Sequence, residues 1–274
     1  REDMTLVFAS GSNHGHVFEA GFVEQVKMGQ GPGYDALLKY LGDHFTVSQE
    51  DVALGASATS KKRVRRAFAE SASNVGKVLA DASLTFKRII PKLHTNQLHL
   101  SLKGERGRTL GNFGYGDAWS LNEKGEVCCV PSRKSTIDSF LREIGFDKQR
   151  MADGLNEYEF HRRSERSHIV SGNASKEAFD FVKAQIGRGF IMVTQKSGRF
   201  NFTKMLTMKD LDVYCGELQK VEIRYPFFAG NYSKRAKSKQ GTIILTTTTR
   251  RFSFEIRNCH SGLIPNQINL CTTT

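Results

Sequence analysis

The segment VLADASLTFKRIIPKLHTNQLHLSLK, residues 78–103, decides how this chain is read. Its second half alternates, with Leu98, Leu100 and Leu102 set against Gln97, His99, Ser101 and Lys103. A period of two is that of a strand with one face buried, because successive side chains leave a strand on opposite sides. The first half, residues 78–86, is apolar around Asp81 and reads as a second strand. Residues 87–96, which include Pro91, read as the turn between them, so the two strands form an antiparallel hairpin. In such a hairpin Ser101 and Lys103 share the face opposite the leucines, and Asp81 on the first strand can sit beside them. An acid that holds a hard divalent cation, next to an ammonium that polarises water or a phosphate oxygen, suits hydrolysis of a phosphodiester.

On the N-terminal side, Val17, Phe18, Gly21, Phe22 and Val26 recur near 3.6 residues and predict a helix over 14–28, stopped by the glycine-rich residues 29–33. A second helix is expected over 34–41 and another over 61–71. On the C-terminal side, helices are expected over 135–144 and 174–186, and strands over 126–130, 190–194, 221–225, 242–247 and 252–257. Residues 145–173 are polar and weakly patterned, and no internal repeat is visible.

With a helix before the hairpin and a helix and strand after it, the chain resembles the PD-(D/E)XK nuclease superfamily, restriction-endonuclease-like proteins. The resemblance rests on Gly15-His16-Val17-Phe18-Glu19, then Leu79-Ala80-Asp81-Ala82, then His99-Leu100-Ser101-Leu102-Lys103. It implies an αβββαβ core of the α/β or α+β class. It also implies a Mg²⁺ site, with Mn²⁺ as a substitute, and DNA endonuclease activity carried by Asp81, Lys103 and Glu19. Two positions depart from the pattern: Ala80 replaces the proline, and Ser101 occupies the second acidic position, offering a neutral oxygen. The second carboxylate then comes from elsewhere, with Glu19 the first choice and Glu70 and Glu105 the alternatives. Taken singly, the same residues suit ordinary places. Asp81 suits a turn or strand edge, Lys103 a solvated strand end before Gly104, and Glu19 an exposed helix charge.

The chain has 274 residues, 40 Lys plus Arg against 28 Asp plus Glu, and a net charge of +12. Residues 1–60 carry −5 and the remainder +17, an asymmetry that points to a polyanion such as DNA, with RNA left open. Arg106 and Arg108 lie in a glycine-rich stretch after Lys103 that lets backbone and guanidinium groups approach a phosphate, or that serves as a plain hairpin turn. Basic runs stand at 61–66, at Arg162, Arg163 and Arg166, and at Lys234, Arg235, Lys237 and Lys239, the last just after an aromatic group at 225–232. Arg257 and Asn258 have side chains suited to base edges. The division expected is a nuclease-like core over 1–195 and a basic β-rich elaboration over 196–274, in one continuous domain or two.

The five cysteines are odd in number and lack C-x-x-C spacing, which argues against a zinc ribbon or disulfide scaffold. With no apolar run of membrane-span length and no signal pattern, a cytoplasmic protein with no membrane partner is expected. The rival from another class is a non-catalytic nucleic-acid-binding protein using the same basic surface. A homodimer is left open.

Overall fold

A computed structural model describes residues 14–53, 81–104, 109–114, 118–131, 135–156, 168–225, 239–258 and 264–273. In chain order the elements are α1 (His14–Met28), α2 (Pro32–Phe45), a 3-10 turn (Gln49–Asp51), β1 (Ala82–Ile90), β2 (Thr95–Lys103), β3 (Thr109–Gly114), β4 (Trp119–Leu121) and β5 (Val127–Cys129). Then follow α3 (Ser135–Glu143), α4 (Lys148–Asn156), β6 (His168–Gly172), α5 (Lys176–Ile186), β7 (Phe190–Lys196) and β8 (Arg199–Met205). The chain continues through α6 (Met208–Cys215), β9 (Leu218–Tyr225), β10 (Lys239–Thr247), β11 (Arg251–Arg257) and β12 (Gln267–Thr273). The protein is a mixed α/β fold, and no helix among the described residues is long and apolar enough to cross a membrane.

These elements form two compact units whose boundary does not fall at 195/196. Among the described residues, the first unit takes in α1, α2, β1, β2, β7 and β8. The second takes in β3 to β6, α3 to α5 and β9 to β12. The units are therefore interleaved in sequence rather than consecutive. The cause is a strand pairing: β7 lies beside β2 in parallel, and a parallel neighbour requires a long crossover. Here the second unit's residues 109–187 occupy that crossover.

The first unit is a four-stranded sheet in the order β1-β2-β7-β8, antiparallel except for β2 and β7. Ala82, Leu84, Phe86, Leu98, Leu100, Leu102, Ile191 and Val193 form its apolar face. Phe22, Val23 and Val26 of α1 and Tyr34, Leu37, Leu41 and Phe45 of α2 belong to the same buried cluster. The two helices meet closely at Gly33, where a Cβ would come within 2.9 Å of the Phe22 ring, and the Gln25 side chain accepts the Gly33 N–H at 2.7 Å. Pro32 fits the first turn of α2 because its missing N–H has no helical partner there anyway.

The hairpin of β1 and β2 is longer than expected. Only Pro91–His94 turn, with His94 left-handed at φ 56°, and the strands reach Ile90 and Thr95. Its register is irregular: Ile90 stands opposite Thr95, yet Thr85 stands opposite Gln97. Lys87, Arg88 and Ile89 are consecutively exposed across this shift. A clamp holds it. Arg88 donates to both carboxylate oxygens of Asp51, at 2.6 and 3.1 Å, and the Ser48 N–H and hydroxyl hold Asp51 at 2.9 and 3.1 Å. Alongside, the Ala53 N–H donates to the Thr85 carbonyl at 2.9 Å.

The second unit centres on a six-stranded antiparallel sheet in the order β3-β12-β11-β10-β9-β6, with a small β4-β5 ribbon. Several of its elements depart from expectation. The glycine-rich stretch 104–114 contains β3, which pairs with β12. The weakly patterned residues 145–173 hold α4, with Met151, Ala152 and Leu155 buried, and β6. In the first unit β8 was likewise unexpected, as were α6 and β12 further on. Helix α5 begins where its cap dictates, Ser175 accepting the Ala178 N–H at 3.0 Å.

Two outcomes follow for stability. Leu100 is fully buried at the centre of the first unit, so Leu100→Ala lowers unfolding free energy by about 2–5 kcal/mol in denaturant titration. The Arg88 hydrogen bonds, then Ser48, hold the Asp51 carboxyl well below its ordinary value of 3.8. Because the folded pKa is depressed, its contribution is present above pH 3.8 and lost as pH falls below it. Melting curves of Asp51→Asn will lack that acid-limb component, and an unchanged acid limb would rule it out.

Candidate functional site

At one end of the four-stranded sheet the irregular hairpin brings an acid back across the strand beside it. Asp81 lies at the bend just before β1, not within a strand, and its N–H donates to the Leu100 carbonyl at 2.9 Å. Its Oδ2 accepts the Leu102 N–H at 2.6 Å and the Ser101 hydroxyl at 3.5 Å. Both hydrogen bonds fall on one oxygen, Oδ2. Alternation along β2 puts Ser101 and Lys103 on the Asp81 face, away from the Leu98, Leu100 and Leu102 stripe.

Helix α1 reaches the same end. A Cβ added to Gly104 would lie 3.4 Å from the Phe18 Cβ, so α1 passes over the end of β2 with Glu19 next in sequence. The effects on the Asp81 carboxyl register the convergence. Burial raises its pKa, the Lys103 ammonium and the Leu102 N–H oppose that, and the Glu19 charge raises it further, leaving it above the ordinary value of 3.8. Glu19, Ser101 and Lys103 thus all bear on the Asp81 carboxyl.

One pair went unpredicted. His99 Nδ1 and the fully buried Ser83 hydroxyl lie 2.9 Å apart, on the same face as Asp81 and Ser101. Desolvation lowers the His99 pKa, favouring neutral imidazole. The alternation of β2 marks the face of His99, but its partner depends on the shifted register.

The residues present suit a magnesium-type ion in part. Among the described residues no group of three His, Cys, Asp or Glu side chains is arranged to hold a metal. Mg²⁺ is usually held by one or two carboxylates with several waters retained, and Glu19 and Asp81 are the carboxyl groups here that could serve as such ligands. Desolvation, with a smaller addition from the Glu19 charge, raises the Asp81 pKa, a setting that a nearby cation relieves.

The other positions fare differently. Asn258 is buried and its amide donates to the Ile264 carbonyl, which turns it into the second unit rather than toward a base edge. Arg257 pairs with Glu255 at 3.7 Å. Lys239 lies in β10 opposite Arg257, with its side chain outside the described residues. Arg106, Arg108, Lys234, Arg235 and Lys237 lie outside the described residues, as do Glu70, Glu105 and the basic runs at 61–66 and 162–166. No family profile, curated protein or solved structure matches the chain.

The raised Asp81 pKa fixes the sign of a substitution. The folded state disfavours the carboxylate, so the penalty is absent well below pH 3.8 and grows as pH rises through the raised value. Asp81→Asn, which keeps an oxygen for the Leu102 N–H, is expected to melt at the same temperature as the parent at pH 3 and higher at pH 7. A lower melting temperature at pH 7 would contradict this electrostatic account.

Proposed function

We propose that the protein is a Mg²⁺-dependent endonuclease that hydrolyses phosphodiester bonds in DNA, with a restriction-endonuclease-like core in its first unit. The observation that carries this is the convergence of Glu19, Asp81, Ser101 and Lys103 at one end of a mixed sheet. Glu19 and Asp81 would hold the cation, which when bound would supply a more acidic water and offset charge on the scissile phosphate. The Leu102 N–H and Ser101 hydroxyl fix Asp81 through Oδ2, so the carboxylate is oriented before any ligand arrives. The Lys103 ammonium orients the attacking water and lies against the growing charge of the phosphate oxygens. Ser101 acts by positioning Asp81 and replaces a charged ligand with a neutral one.

Non-catalytic nucleic-acid binding is the second reading, favoured by one observation: among the described residues no three-acid cluster is present. Metal-dependent cleavage separates the two.

Purified protein is expected to cut duplex DNA with Mg²⁺ or Mn²⁺ and to stop in EDTA. Asp81→Ala is expected to reduce the rate about 10³-fold or more, since a metal's charge stabilises the transition state by several kcal/mol. Lys103→Ala is expected to cost about 10²–10⁴-fold. The cation needs ionised carboxylates, so activity rises with pH through the raised Asp81 pKa. Undiminished cleavage by Asp81→Ala would overturn the assignment.

A further inference from the structure

We infer that the tip of the β7–β8 hairpin is a seat for the DNA phosphate backbone beside the candidate active site. The inference rests on the nuclease assignment and extends it to a surface that the basic runs of the sequence did not indicate.

Its position follows from register. Thr194 of β7 is the parallel partner of Lys103, and Lys196 lies two residues further along on the same face. Arg199 of β8 stands directly opposite Lys196, and Asn201 opposite Thr194, so all of them project on the Asp81 and Lys103 side of the sheet. Lys196, Arg199 and Asn201 are exposed. From Lys103 on β2 to Asn201 on β8 is two strand spacings, and Arg199 lies two residues further along, so Lys103 and Arg199 are roughly 12 Å apart, about the axial run of three to four phosphates on one DNA strand.

The electrostatics point to an anion. Lys196 and Arg199 are like charges directly opposed across a strand pair, an arrangement that destabilises a hairpin. Neither has an acidic partner among the described residues, although Lys204 on the opposite face of β8 pairs with Asp210 at 3.0 Å. The turn itself is tight and stiff: Ser197 and Gly198 both have positive φ, 49° and 75°, as in the two-residue turns that match strand twist. Two cations are thereby mounted on a rigid tip, and a phosphate between them removes their repulsion while continuing the line of positive charge from Lys103.

The test uses the full chain with Asp81→Asn as the parent, so that binding to a short DNA duplex is measured without cleavage. The salt dependence of the dissociation constant is compared for the parent, for Lys196→Ala with Arg199→Ala, and for Lys87→Ala. Lys87 is an exposed lysine six residues along from Asp81, toward the far end of β1. The double variant is expected to lower the salt slope by about 1.8, two phosphate contacts at about 0.9 each, with Lys87→Ala unchanged. In the otherwise wild-type chain the double variant should raise KM while cleavage at saturating duplex stays within about twofold. An unchanged slope, or an equal loss per charge from Lys87→Ala, overturns the seat and leaves the nuclease assignment intact if the wild type still cleaves. Loss of slope at the hairpin with no metal-dependent cleavage by the wild type overturns the nuclease assignment instead and supports the phosphate seat alone.

Discussion

The register shift between Thr85 and Ile90 is the constraint on which the candidate site depends. Cross-strand partners share a face, and a shift by an odd number of residues exchanges faces. Continued regularly from the Ile90 and Thr95 pair, the hairpin would set Asp81 opposite Gly104 and on the side of the leucine stripe. The shift instead brings it into register with Ser101, on the side of His99 and Lys103. The same shift leaves Phe86 and Ile90 both buried with three exposed residues between them, so core and site are satisfied together. The clamp of Asp51 on Arg88, with Ser48 behind it, sits on the displaced segment and holds the backbone to that choice.

Two carboxylates along this hairpin show how local setting separates structural from chemical roles. Asp51 receives two guanidinium hydrogen bonds and is held as a carboxylate far into acid. Asp81 is half-buried and bonded through Oδ2, and desolvation with a smaller contribution from the Glu19 charge moves its pKa the other way. Asp51 is matched by its cation, whereas the Asp81 carboxyl feels both a second acid and an ammonium. Lys196 and Arg199 on the β7–β8 tip, without an acidic partner among the described residues, lie on the same face of the same sheet.

In the second unit several cations are engaged internally: Arg250 lies over the Tyr214 ring at 3.5 Å and donates to the Tyr214 carbonyl, and Lys148 joins Asp138 to the Val130 carbonyl. Burial raises the Cys215 thiol to about 12, which leaves it a small apolar core residue. Asn258, chosen from sequence for base contact, is spent on an internal carbonyl in the same way. Amide and guanidinium groups suit nucleobases and backbone carbonyls equally, and only burial tells which they meet.

Short-range physics made several elements legible in the sequence. The 3.6-residue spacing of Val17, Phe18, Phe22 and Val26 and the glycines after Met28 determined α1, and the leucine alternation determined β2 and its buried face. Ser175 and Gly187 set the bounds of α5. Elements whose pattern was blurred were missed. β8 carries partly exposed residues on both faces, and α4 buries only Met151, Ala152 and Leu155 among polar neighbours. Glu19, Asp81, Ser101 and Lys103 form a group by their order in the sequence, but that the other three bear on the Asp81 carboxyl is a tertiary result. It requires α1 to pass over Gly104, β7 to pair in parallel with β2 across an inserted unit, and the hairpin to slip by an odd number of residues. None of these has a local signature: periodicity reports which face of an element is apolar, while register and long-range pairing are decided by how separate apolar faces fit when they are buried together.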